Sequence, residues 1–368
     1  MSLRLEFVML AGQEEANVRE LCRRHKISPT TGYKWLQRFR RGGVEALTDQ
    51  SRRPLSSPAQ TAAEMEGSVV ELRRQHPAWG GRKLRRVLQN QGQTGLPAAS
   101  TITDILRRRD LLGSDPQDPP GPCQRFQRPA PNQLWQMDFK GHFPLANGRC
   151  HPLTALDDHS RFNILLEACD NERQETVRAA LTGAFERYGL PDGILCDNGS
   201  PWGAGGEGHT ALSVWFLRLG VRVYHGRAYH PQTQGKEERF HRTLKAEVIA
   251  RGGWSDQAQV QKHFAQWRAV YNCQRPHEAL EMQTPASRYQ PSQRPFPATL
   301  PPVAYDQGVL TRKVDGAGRI SYRNRLWKIG SAFHGQAVGL RVTARDGLLE
   351  ILFAAHLIKT INLREQTP

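Results

Sequence analysis

Apolar positions recur at helical spacing through the first 112 residues and alternate afterwards, which predicts helical modules followed by sheet-based ones. Residues 3–50 read as three short helices. Asn17 with Glu20 makes a capping-box start for the second, and Ser28-Pro29 caps and opens a third that runs through Arg41 and closes at Gly42-Gly43. The tight turn around Ile27-Ser28 gives this pair the pattern of a helix-turn-helix. Leu36 and Phe39 would face its core, and Thr30, Thr31, Tyr33, Lys34 and Arg38 a DNA groove. Residues 58–112 repeat the theme: Leu84, Val87 and Leu88 form one stripe closed by Gly92, and Ile102, Ile105 and Leu106 another whose outer face carries Thr101, Thr103, Arg107 and Arg108. From Trp135 the period becomes two, with Trp135, Met137 and Phe139 on one side and Gln136, Asp138 and Lys140 on the other, as in a half-buried strand. Ile194 to Cys196 is a short apolar strand ended by the Asn198-Gly199 turn, and a helix opened by Pro231 runs through Leu244 and Val248. Beyond Val303, short alternating strands are separated by Asp315-Gly316 and Asp346-Gly347 turns.

Between these blocks lie segments that cannot be regular structure. GSDPQDPPGPCQRFQRPAPNQ, residues 113–133, is too proline-dense for a helix or a central strand and marks the main boundary. TDQSRRPLSSPAQ joins the two helical modules, and its Arg52 and Arg53 could track a nucleic-acid backbone. FPATLPP is a second linker. The resulting domains are 1–50, 58–112, a 113–131 linker, 132–290 and 303–364.

Three carboxylates sit where they could share a metal site. Asp138 lies on the polar face of its strand, Asp197 at the mouth of the next, and a glutamate in the first turns of the helix after Pro231. Brought together they would repel, so they need cations. Two divalent ions would balance three carboxylates and a phosphodiester, and such a pair activates an attacking oxygen and stabilises a leaving one. Oxygen-only donors favour Mg²⁺ or Mn²⁺ over zinc. The glutamate has two candidates. On a helix Glu237 falls on the Phe240, Leu244, Val248 stripe, and Glu238 falls with Arg242 and Lys245 on the basic face. That arrangement favours Glu238 as the ligand, with Glu237 the fallback if the helix starts late. Lys236, Arg239, His241, Arg242 and Lys245 surround it and could grip phosphates. Asp157 and Asp158 in LDDHSRF are rival ligands that read instead as a hairpin turn braced by Ser160 and Arg161.

Four segments, WQMDFKG, LDDHSRF, CDNGSPW and HPQTQGKEERFHRTLK, carry a resemblance between Asn132 and about Tyr289 and the integrase core of the DDE recombinases, in particular bacterial insertion-sequence transposases. HPAWGGRKL is similar to the matching part of the same transposases. The resemblance implies an RNase H-like α/β core with a mixed sheet, helix-turn-helix arms, a small SH3-like carboxy-terminal β-barrel and polynucleotidyl transfer within a multimeric synaptic complex. It also implies Asp138, Asp197 and Glu238 as the catalytic, metal-binding set. This chain departs from the pattern in the 40 residues between Asp197 and Glu238, longer than usual, and in pairing Glu237 with Glu238 where relatives have one Glu after a Val. The glycine-rich GAGGEGH at 203–209 would absorb the extra length at little entropic cost.

Charge adds to this picture. Of the net +16, residues 1–131 hold +9, 132–296 hold +2 and 297–368 hold +5, so basic arms flank a near-neutral core. That division suits a protein that grips a polyanion yet keeps carboxylates and metals at its centre. In the carboxy-terminal module Arg312, Lys313, Arg319, Arg323, Arg325 and Lys328 would be the DNA side. The six cysteines are scattered without a C-x-x-C pair, so neither a disulfide framework nor a zinc site is legible. No apolar run of spanning length and no phosphate-binding P-loop appear, which argues against a membrane protein or a nucleotide hydrolase and for a cytoplasmic location; the resemblance to bacterial transposases implies that it is nucleoid-associated there. The expected partners are double-stranded DNA, as element ends and as target, and further copies of the chain. The competing readings are an inactive, domesticated transposase serving as a helix-turn-helix regulator, and a nuclease of RNA–DNA hybrids, which would not need two duplex-reading modules.

Overall fold

The computed structural model describes residues 2–49, 60–112, 126–203, 208–226, 235–345 and 347–364, divided between two compact units, residues 1–60 and 61–368. The first unit holds α1 (Leu3–Ala11), α2 (Val18–Arg24) and α3 (Pro29–Gly42) around Phe7, Val8, Cys22 and Leu36. Asn17 accepts from Glu20 N–H and Ser28 from Thr31 N–H, while the Glu20 side chain accepts from Arg24, so α2 has the expected N-cap without the reciprocal half of a capping box. Gly32 sets how closely α3 approaches its neighbours, since a Cβ there would lie 2.4 Å from Cys22 Sγ and 2.8 Å from the Phe7 ring.

In the second unit, α4 (Ala63–Gln75), α5 (Gly81–Asn90) and α6 (Ala99–Arg108) enclose Leu84, Leu88, Ile102, Ile105 and Leu106. Trp79 is buried there and stacks on His76 with ring centroids 3.7 Å apart. Glu66 is buried between Arg108 at 2.6 Å and Arg109 at 3.5 Å, which ties α4 to the end of α6. This module is joined to the rest of its unit. Val270 packs against its core and Arg82 lies 3.8 Å from Glu278, so a boundary placed by proline content alone does not separate the folded bodies.

The central sheet contains β1 (Trp135–Phe139), β2 (Phe143–Leu145), β3 (Gly148–Asp157), β4 (Asn163–Cys169), β5 (Gly193–Cys196) and β6 (Arg222–His225). Its order is β2-β3-β1-β5-β6, with β4 also on β3; β1, β5 and β6 are parallel and the rest antiparallel. α7 (Gln174–Tyr188) and α8 (Ala211–Arg218) cover one face over Trp135, Met137, Leu153 and Ile194. α9 (Gly235–Glu247) and α10 (Gln257–Cys273) cover the other over Cys150, Leu156 and Leu166. With both faces covered β1 is not half-buried as its alternation suggests: Gln136 is fully buried, because the polar side of β1 is the side under α9. α10 also satisfies the outer edge of β4. Asn272 accepts from Asn163 N–H, Gln261 accepts from Ala168 N–H, and Arg268 donates to the Asn163 and Ile164 carbonyls.

The carboxy-terminal strands are β7 (Leu310–Lys313), β8 (Arg319–Tyr322), β9 (Arg325–Lys328), β10 (Ala337–Val342), β11 (Leu348–Phe353) and β12 (His356–Asn362). They form a four-stranded antiparallel sheet, β12-β11-β10-β7, and a separate β8-β9 hairpin, which corrects the expected closed barrel. Two tight turns explain the split. The Asp315 carboxylate accepts from Ala317 and Arg319 N–H, and Arg323 and Asn324 take φ of 51° and 61°, folding β8 back on β9 instead of carrying the ladder from β7 round to β12. Among the described residues no helix is long and apolar enough to cross a membrane.

Candidate active site

β1 and β5 run parallel with Trp135 opposite Ile194 and Gln136 opposite Leu195, a register that brings Asp138 and Asp197 level at the carboxyl ends of adjacent strands. Ligands of open α/β sheets bind at such ends. Burial first, and then the charge of Asp197, raise the Asp138 carboxyl to about 7. Asp197 is held by the turn after β5: its Oδ1 accepts from Gly199 N–H at 3.0 Å, its carbonyl lies 2.9 Å from His225 Nδ1, and Asn198 donates to the Gly226 carbonyl.

α9 closes the site from the side of β1 and β3, and its face divides as the periodicity predicts except at His241, which is buried and not among the residues free to grip phosphates. Glu237, Phe240, His241 and Leu244 are buried, and Glu238, Arg239, Arg242 and Lys245 are exposed. The Thr154 hydroxyl lies 3.0 Å from the Asp138 carbonyl, 3.0 Å from Glu237 Oε2 and 2.8 Å from His241 Nε2. A hydroxyl has one proton, which cannot serve both a carbonyl and an ionised carboxylate. A protonated Glu237 resolves this, in accord with burial and then Asp138 pushing its carboxyl well above the usual range. Burial, then Lys140, lowers His241 to about 3 and leaves it neutral beneath Asp138 Oδ2, 4.0 Å away. The two candidate glutamates are thus placed differently. Glu237 lies against Asp138 inside the protein, and Glu238 stands at the same helix end facing solvent.

Among the described residues no three His, Cys, Asp or Glu side chains converge as a metal cage. What the site does offer is a pair of level carboxylates, one of them raised to about 7 by burial and by the charge of the other, with oxygen as the donor of both. This fits Mg²⁺, which is commonly held by one or two protein carboxylates and completed by water and phosphate oxygens.

The rival carboxylates are structural. Asp157 and Asp158 are fully buried at the β3–β4 turn. Asp157 accepts from Asn132 N–H, Ser160 N–H and Ser160 Oγ, and Asp158 from Arg128 N–H and Gln136 Nε2. Asp158 also pairs with Lys236, whose ammonium lies 4.5 Å from the Phe126 ring centroid. Lys236, expected to grip DNA, is therefore spent on anchoring the start of α9. The charge pattern alone could not show this, because the partner is 78 residues away in sequence.

In the amino-terminal helices Thr30, Tyr33 and Lys34 are exposed, Thr31 and Arg38 half-buried, and the Thr31 hydroxyl is bonded to Ser28 Oγ. On α6 Thr101 is half-buried and Arg107 pairs with Asp104. Thr103 does not face outward: its hydroxyl donates to the Ala99 carbonyl and sits over Gly81, where a Cβ would come within 2.7 Å of it. Arg52, Arg53, Pro231 and the turn position Asp346 lie outside the described residues.

Residues 128–231 match the model of an integrase core domain and 219–285 a second integrase core model. Residues 3–54 match a helix-turn-helix domain, 31–106 a homeodomain-like domain, and 309–368 the C-terminal domain of IS481 family transposases. Among similar proteins, the insertion element IS407 uncharacterized 31.7 kDa protein of Burkholderia multivorans is 28% identical over 43% of this chain and 55% of its own length. The transposase InsD for insertion element IS2 of Escherichia coli is 28% identical over 57% of this chain and 72% of its own length. The chain thus spans only about half the length of the first of these relatives. A solved simian T-cell lymphotropic virus intasome in complex with PP2A regulatory subunit B56 gamma contains a chain that aligns with 82% of this one, all of its own length included, at 15% identity and a TM-score of 0.41.

Proposed function

We propose that this chain, a DDE transposase of the insertion-sequence kind with an integrase-type core, binds the terminal inverted repeats of its element, cleaves at their ends and joins the freed 3′-hydroxyl to target DNA. The level pair Asp138 and Asp197 carries the proposal, because two facing carboxylates beside a basic helix suit phosphodiester chemistry better than any other reaction class. Glu238 is the third member, exposed at the head of α9 on the side of Arg239, Arg242 and Lys245.

Asp138 and Asp197, with Glu238, would hold one or two Mg²⁺ or Mn²⁺ ions, which when bound supply charge neutralisation and an activated oxygen nucleophile. The protein's own groups do the remaining work. The turn at Asn198-Gly199 fixes the Asp197 carboxylate, the neutral Glu237–Thr154–His241 cluster supports the backbone and side chain of Asp138, and the exposed cations of α9 orient the phosphates. Helix-turn-helix reading of element ends and assembly of several copies into a synaptic complex complete the reading. The deciding experiment is strand transfer in vitro with labelled element ends and plasmid target: joined products support the assignment, and specific binding without any cleavage in Mg²⁺ or Mn²⁺ would replace it with a regulator.

A further inference from the structure

Where α5 docks on the core, cations outnumber carboxylates: Arg82, Lys83, Arg239 and Arg275 have Glu247 and Glu278 among them. Lys83 is half-buried in the first turn of α5, and its ammonium has no hydrogen-bond or ion-pair partner among the described residues. Burial lowers its pKa, and so do Arg275, at the end of α10, and Arg239, on α9. The carboxylates in range are already engaged, Glu278 by Arg82 at 3.8 Å and Glu247 by Arg275 at 3.1 Å and Trp267 Nε1 at 2.7 Å. His277 reports the same convergence from beneath, pushed well down by burial and then by Arg275, Lys83, Arg161 and Arg239. One turn along α5, Arg86 borders a groove between α5 and the 282–287 segment, and its Nε is buried there without a partner. Lys83 and Arg86, three apart, lie on neighbouring positions of one helix face.

Partly desolvated cations that face one another are unfavourable until an anion joins them, and a helix needing only solubility would keep them in water. We infer that Lys83 and Arg86 of α5, with Arg239 of α9, form one phosphodiester-binding surface that carries the DNA backbone from the docked helical module to the carboxylate site. This rests on the proposed action on DNA. It adds that α5 touches the strand backbone together with α9, whatever sequence α3 or α6 reads.

The test uses the full chain in EDTA, which prevents cleavage, and a fluorescein-labelled duplex of random sequence, with affinity followed by anisotropy over a series of NaCl concentrations. Lys83→Met with Arg86→Gln keeps both stems and should make the log–log salt dependence shallower by about 1.8, or about 0.9 for each phosphate no longer neutralised. Lys83→Arg should retain the original slope. Arg187→Gln with Lys262→Gln removes the same charge from α7 and the exposed side of α10 and should leave the slope unchanged. Thermal unfolding midpoints equal to that of the unsubstituted chain confirm that the variants are folded. An unchanged slope in the Lys83/Arg86 variant, or an equal change in the Arg187/Lys262 control, overturns the inference and leaves the reading of the chain as a DNA enzyme standing. A chain with no salt-dependent binding of any duplex overturns both.

Discussion

With its carboxyl raised to about 7 by burial and by Asp197, Asp138 holds its proton more tightly in the folded chain than in the unfolded one. Below pH 4 or so both states are protonated and this contribution to stability is complete. As pH rises toward 7 the unfolded chain ionises first and the contribution is lost. In metal-free buffer, urea midpoints of the unsubstituted chain should therefore fall over that window relative to Asp138→Asn, and parallel curves would show that Asp138 is not buried against Asp197 in solution. Catalysis divides the same residues differently. Asp138→Asn, Asp197→Asn and Glu238→Gln should each abolish end cleavage and leave band-shift affinity for element ends nearly intact, and EDTA should do the same to the unsubstituted protein. If Glu238→Gln cleaves normally and Glu237→Gln does not, the third carboxylate is the buried one. The pairing of Asp138 with Asp197 was legible from strand periodicity and the turn after Cys196, but the Glu237–Thr154–His241 cluster was not. It is made by residues 83 and 87 apart in sequence that meet only once α9 lies across β3.

α9 and α3 show how an element's position can rest on one or two side chains. The start of α9 is tied to the β3–β4 turn by Lys236 and Asp158, of which Asp158 is wholly buried and Lys236 has only 15% of its side chain exposed. Lys236→Met would leave that carboxylate without its cation and should destabilise the chain by about 3 kcal/mol, and Lys236→Met with Asp158→Asn should recover much of the loss. Urea denaturation of the three variants measures it, and a single variant as stable as the unsubstituted chain would show that the pair does not anchor the helix. At α3, Gly32→Ala must push Cys22 or Phe7 aside and should cost about 1–3 kcal/mol of the first unit's stability, read as its thermal midpoint. Helix starts and caps such as Asn17 and Ser28 were readable because they depend on neighbours in sequence. Lys236 read as a surface cation and Gly32 as an unremarkable helix residue because both answer to distant partners.

At the scale of the whole molecule, proline content put the main boundary at 113–133, whereas the structure divides the chain between residues 60 and 61, at the end of the linker between the two helical modules. The α4–α6 module shares apolar and ionic contacts with the core, which no linker composition could announce. Residues 1–60 expressed alone should keep a cooperative unfolding transition and bind element ends in preference to random duplex. A fragment that binds both alike would move end recognition to residues 61–368. The same division limits how such a protein can be re-aimed. Exchanging the first sixty residues for those of another element should graft a new address onto the second unit, because the cut falls between the two compact units. An exchange made at the proline-rich 113–125 stretch would carry α4–α6 away with the donor, and the hybrid would inherit a catalytic core whose Val270 and Glu278 no longer meet the side chains they were fitted to.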